Sequence, residues 1–135
     1  MSAEPNDILR IQEIYDIATE TLAQLEELSL TEEQFLYPST ARDKLMTEGL
    51  VNRVLRAAEE GGKLSTALLE YGFEMKEMSG LRNRIVHAYG TIDMGIIWKI
   101  LQTEFPQLVE NCEDYCTRQG LYLRKAWQDL DSSQE

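Results

Sequence analysis

Apolar residues that return every third and fourth position leave this chain few ways to fold. Between Asp7 and Leu28, Ile8, Ile11, Tyr15, Ala18, Leu22 and Leu25 keep that spacing, which sets them along one side of an α-helix. A helix that is apolar on one face only must bury it against a neighbour. No stretch of the 135 residues alternates apolar and polar in the manner of a strand, and none repeats.

The rest of the chain continues in the same period. "SLTEEQF" offers a capping box, Thr31 with Gln34, opening a short helix that Pro38 closes. "STARDKLMTEGLVNRVLRAAEEGG" reads as a second long helix, with Leu45, Leu50, Val54, Leu55 and Ala58 on its apolar side and Gly61 and Gly62 ending it. "KLSTALLEYGF" reads as a short helix broken at Gly72, and the helical pattern resumes from about Glu74 to His87. "YGTI" is a tight connection in which Gly90 is free to take positive φ. Asp93 then caps a last long helix, Met94 to about Thr117, with Ile96, Ile97, Ile100, Leu101, Phe105, Leu108 and Cys112 as its stripe. Pro106 inside that stripe calls for a kink or for two consecutive helices. The expected fold is all-α, an antiparallel bundle of four to six helices forming a single domain over residues 1–135, with 128–135 a frayed tail.

Composition narrows the function. No run approaches the roughly 20 apolar residues of a membrane span, and "MSAEPNDILR" has neither a basic nor an apolar leader region, so a cytoplasmic location is expected. Cys112 and Cys116, four apart, share a helix face. A zinc site would need two more ligands where one histidine and no third cysteine remain, so two free thiols, no metal and no cofactor are expected. The net charge of −11 speaks against a broad nucleic-acid track. Its distribution is uneven: residues 1–40 sum to −8, 41–100 to +1 and 101–135 to −4. A local basic pocket is possible in the middle third alone.

That third holds "GLRNRIVHAYGTID", residues 80–93, with the one histidine of the chain. On a helix from Glu74, Met75, Met78, Leu81, Ile85 and Val86 fall on the core side, and Lys76, Asn83, Arg84 and His87 on the other. Asn83 and Arg84 are then surface neighbours of His87. Arg82 projects from the apolar side, where an arginine needs a partner: either a structural ion pair with a carboxylate such as Glu48, or an anion in a cleft. Tyr89 falls in the turn, its hydroxyl within reach of solvent. His87 is either a polar residue suited to a helix C-terminus or an acid–base group. Guanidinium and imidazole together are the minimum set for metal-free cleavage of RNA, with the 2′-hydroxyl as nucleophile. In-line cleavage wants both a base and an acid, and one chain has one imidazole. A ribonuclease of this sequence therefore needs a two-fold dimer that brings two copies of the motif together.

The stretch resembles the R-x4-H-x-Y motif of HepT-like toxins of the HEPN superfamily, with Arg82, His87 and Tyr89 on the three named positions and Asn83 on the polar one after the arginine. Asp93 and Trp98 fit the start of the helix that follows. The likeness extends to the N-terminal helix, "LTEEQFL", the long helix from Ser39 and "GIIWKILQTEFPQL", and is poor between Ala57 and Phe73. The resemblance implies an all-α homodimer with motifs facing across the interface, acting as the metal-independent endoribonuclease toxin of a type II toxin–antitoxin system. Arg82 and His87 would be catalytic, and Asn83 and Arg84 secondary contacts to RNA. A minimal nucleotidyltransferase antitoxin would neutralise the toxin by transferring AMP to Tyr89. The alternative is a non-catalytic HEPN subunit that binds a nucleotide or scaffolds a nucleotidyltransferase, and a third reading is a plain dimerisation bundle.

Overall fold

The computed structural model describes residues 5–128, and every regular element among them is a helix. Helix α1 (Pro5–Leu28) buries Ile11, Ile14, Tyr15 and Ala18. Helix α2 (Glu32–Leu36) starts at the expected capping box: Thr31 Oγ1 accepts from the Gln34 N–H at 3.2 Å, and Gln34 Oε1 accepts from the Thr31 N–H at 3.0 Å. Helix α3 (Ala41–Gly62) starts at Thr40, whose hydroxyl accepts from the Asp43 N–H. It runs antiparallel to α1, because Arg10 meets Glu60, Glu13 meets Arg56 and Glu20 meets Arg53, in opposite order along the two helices. Half-exposed pairs of this kind add little stability, but they pin the register.

A short 3₁₀ helix (Thr66–Tyr71) follows and stops at Gly72, whose φ of +94° suits a residue without Cβ. Its start is tied to α1 by Asp7, 1% exposed, whose two carboxylate oxygens accept from the Ser65 N–H at 3.0 Å and the Ser65 hydroxyl at 2.6 Å. Helix α4 (Met75–His87) folds back antiparallel on α3. A 3₁₀ turn (Tyr89–Thr91) leads to α5 (Met94–Lys99), capped by Asp93, whose Oδ1 accepts from the Gly95 N–H at 2.8 Å. Helix α6 (Phe105–Gln119) packs on α1. The core gathers Ile11, Ile14, Val51, Val54, Phe35, Leu68, Phe73, Ile85, Ile97, Leu101 and Phe105. No helix among the described residues is long and apolar enough to cross a membrane.

Several local expectations are corrected, but Gly61 and Gly62 do end α3, as its last two residues. They are needed because α4 passes so close: a Cβ on Gly61 would run into the Met78 sulfur, and one on Gly62 into the Ser79 hydroxyl. The glycines of positive φ are Gly72 and Gly120, so Gly90 does not use that freedom. Ile8, Leu45, Val86 and Ile96 are exposed, Leu45 by 70%. The buried face of α3 runs through Thr47, Val51, Val54, Ala58 and Gly61, and Leu45, two residues ahead of Thr47, lies nearly opposite it. Around Pro106 the chain forms two α-helices joined by a π turn (Ile100–Glu104), with the Phe105 N–H reaching back to the Ile100 carbonyl. The wider turn absorbs the donor that proline lacks. Cys112 and Cys116 are buried free thiols. Residues 121–128 run along α1: Asp16 accepts from the Ala126 N–H, and Trp127 Nε1 donates to Thr19. The expected frayed tail lies outside the described residues from 129 onward.

Candidate active site at the end of α4

Met75 and Ile85 anchor α4 in the core, with Met78 and Leu81 partly buried against it. The helix is held at its origin by the glycine contacts with α3, and its polar residues are thereby fixed in direction. Arg82 is about two-fifths exposed. Its Nε lies 3.6 Å from Glu59 Oε1 on α3, and its Nη1 donates to Asn83 Oδ1 at 3.1 Å. The ion pair expected for Arg82 therefore forms with Glu59 and not with Glu48. Asn83, Arg84 and His87 are exposed.

His87 is the last residue of α4. The Ala88 N–H donates to the Arg84 carbonyl, and the Thr91 hydroxyl donates to the Ala88 carbonyl. Those two bonds turn the chain and set Tyr89 in the 3₁₀ turn, 48% exposed, as expected. Partial burial, and then the carboxylate of Glu48, push the Tyr89 phenol above its ordinary pKa.

The motif residues do not all converge in one chain. Arg82 and His87 stand five positions apart, about 140° around the helix, while Tyr89 lies beyond the helix end, in the 3₁₀ turn. Arg82 and Asn83 border a shallow depression of about 420 Å³ between the end of α3 and α4. Arg84 borders a different cavity of about 220 Å³, with Leu81, Phe105 and the carboxylates of Glu74, Glu77 and Glu104. His87 borders neither of these two. What one chain presents is a guanidinium, an amide and an imidazole along the last two turns of a helix and a phenol in the turn beyond it, on faces that a neighbouring molecule can bridge.

Glu59, Lys63 and Ser79, which surround Arg82, carried no signal of their own in the sequence. Only the antiparallel register of α3 and α4 brings them to it. The glycine pair was the usable clue, since Gly61 and Gly62 mark where the second helix comes closest.

Residues 69–115, about a third of the chain, match a family model described as ribonuclease HepT-like. The matched stretch runs from the first 3₁₀ turn through α4 and well into α6, and so contains Arg82, Asn83, Arg84, His87 and Tyr89. It does not include α1 to α3, to which the sequence resemblance also extends. No curated protein and no solved structure matches the chain. The chain is an all-α protein whose motif-bearing part is similar to ribonucleases of the HepT type.

Proposed function

We propose that this protein is the toxin of a type II toxin–antitoxin pair, a metal-independent endoribonuclease whose site is completed across a homodimer. The observation that carries the reading is the divergence of Arg82 and His87 on one helix in a chain with a single imidazole. Two copies related by a two-fold axis supply two imidazoles, and each can set the His87 of one copy beside the Arg82 of the other. Val86, 44% exposed between Ile85 and His87, gives that face an apolar contact.

One His87 takes the proton from a ribose 2′-hydroxyl. The freed oxygen attacks the adjoining phosphorus while the 5′-oxygen leaves with a proton from the other His87. The products are a 2′,3′-cyclic phosphate and a 5′-hydroxyl. Arg82 neutralises charge on the phosphate with its planar fork, and Asn83 and Arg84 contact the flanking strand. Tyr89 orients the substrate and is where a minimal nucleotidyltransferase antitoxin attaches AMP. Its phenolic oxygen attacks the α-phosphorus of ATP, and pyrophosphate leaves. The half-exposed position of Tyr89 supports this role, and the added phosphate would repel RNA from the site.

Expression of the chain without its partner tests the proposal. Growth arrest that disappears in His87→Ala and in Arg82→Ala is expected. A harmless chain that binds ATP, less tightly in Arg82→Ala, would replace the proposal with a non-catalytic nucleotide-binding subunit.

A further inference from the structure

The side of α4 that carries Arg82 continues beyond the motif. One turn earlier Ser79 is exposed, and the end of α3 places Lys63 on the rim of the same depression. Glu59, Gly62, Lys63, Ser79, Arg82 and Asn83 line it. Its charges are two cations against one carboxylate, and Glu59 is already engaged by Arg82. In a chain of net charge −11 such a positive concavity is an exception. Lys63 has no carboxylate within 4.0 Å among the described residues. The Ser79 hydroxyl donates only at long range, 3.4 Å to the Gly62 carbonyl. With Asn83 Oδ1 taken by Arg82, its amide N–H groups are left as donors. Gly62 has room for no side chain against Ser79, which keeps the lysine close to α4. Lysine, hydroxyl and amide are all donors that suit a phosphodiester.

We propose that this depression is a second phosphate subsite, in which Lys63, Ser79 and Asn83 hold the RNA phosphate next to the one gripped by Arg82. Ser79 and Arg82 are three residues apart, about 4.5 Å along the axis of α4, so the strand lies along the helix from Arg82 toward the end of α3. The subsite rests on the ribonuclease reading and extends it. A cation at Lys63 also favours the C-terminal end of α3; that effect would alter thermal stability but not the salt dependence of RNA binding.

The test uses the full chain with an unmodified Tyr89 and a short 2′-O-methyl RNA, which lacks the nucleophile and cannot be cleaved. Binding is followed by fluorescence anisotropy between 50 and 200 mM KCl, settings chosen to span a useful range of screening. Wild type is compared with Lys63→Ala, with Lys63→Gln, which keeps the aliphatic stem, and with Lys44→Ala on an exposed part of α3. Both Lys63 variants are expected to bind more weakly and to lower the log–log salt slope by about 0.7, one phosphate contact on a single strand. Lys44→Ala should change neither. With cleavable RNA, Lys63→Ala should raise KM and leave kcat unchanged. Wild-type salt slope and affinity in both Lys63 variants would overturn the subsite and leave the ribonuclease reading standing. A fall in kcat with unchanged KM would also overturn it, by moving Lys63 to the scissile phosphate. A wild-type chain that binds no RNA would overturn both.

Discussion

Replacing Gly61 by valine tests the contact that sets α4, and with it the motif, against α3. Glycine is the poorest ordinary helix former, and valine recovers about 0.4 kcal/mol of propensity in an open helical site. Gly49 is such a site, since a Cβ there meets nothing within 4 Å. At Gly61 the new Cβ falls on the Met78 sulfur, and the two valine methyls add to the crowding. Overpacking of this order costs about 1–3 kcal/mol. Gly61→Val should therefore lose about 1–2 kcal/mol net, while Gly49→Val is neutral or slightly stabilising. For a domain of this size each kcal/mol moves Tm by about 3–5 °C, so scanning calorimetry should place the Gly61 variant at least about 3 °C below wild type. Met78→Ala removes the obstacle. Combined with Gly61→Val, it should give a coupling of more than about 1 kcal/mol in the favourable direction. Equal midpoints for the two valine variants, or strict additivity with Met78→Ala, would refute the close helix contact as the reason for the glycine.

Three other outcomes are expected. Glu59→Gln breaks a half-exposed ion pair worth at most about 1 kcal/mol, so Tm should hold within a few degrees while affinity for RNA rises, because Arg82 no longer has a carboxylate competing for it; unchanged affinity in a binding titration would argue against Arg82 as a phosphate ligand. Asp7→Ala strands the Ser65 N–H and hydroxyl where the buried carboxylate had held both, and should cost about 2–4 kcal/mol in chemical denaturation, well beyond an ordinary cap. Burial pushes both thiols upward, Cys112 furthest, and Tyr15 and Tyr115 in the same direction. Native thiols then stay protonated where unfolded ones ionise, so stability is intact below about pH 8.5 and falls as pH rises above it, by up to about 1.4 kcal/mol per pH unit for each thiol; denaturation midpoints between pH 7 and 10 would check this, and a flat profile would contradict it.

The helical architecture was readable because amphipathic period and caps are local signals: Thr31 with Gln34, Asp93 and Gly72 all act where their residue types require. Facing was readable only in part. A stripe with leucine at both ends says which side is apolar but not how far it is covered, so Leu45 and Ile96 were assigned to the core that Val51 and Ile97 occupy. The glycine pair in α3 was legible as the stop it is, but its second purpose was not, since that depends on a helix 17 residues further along the chain. The same gap explains the site. Arg82 plainly needed a partner, but Glu48 and Glu59 are equivalent until the register of α3 against α4 is known, and that register is set by Gly61 and Met78. Asp7 gave no sign of burial, because its partner Ser65 lies 58 residues on, beyond α1, α2 and α3.

The most direct test of the account incubates the purified chain, with intact mass establishing an unmodified Tyr89, with RNA in excess chelator beside His87→Ala prepared identically. The account predicts cleavage by wild type alone, with 2′,3′-cyclic phosphate ends, and a loss of roughly 10²–10⁴-fold in the variant. Intact RNA with the wild-type chain, or equal cleavage by both proteins, would contradict it.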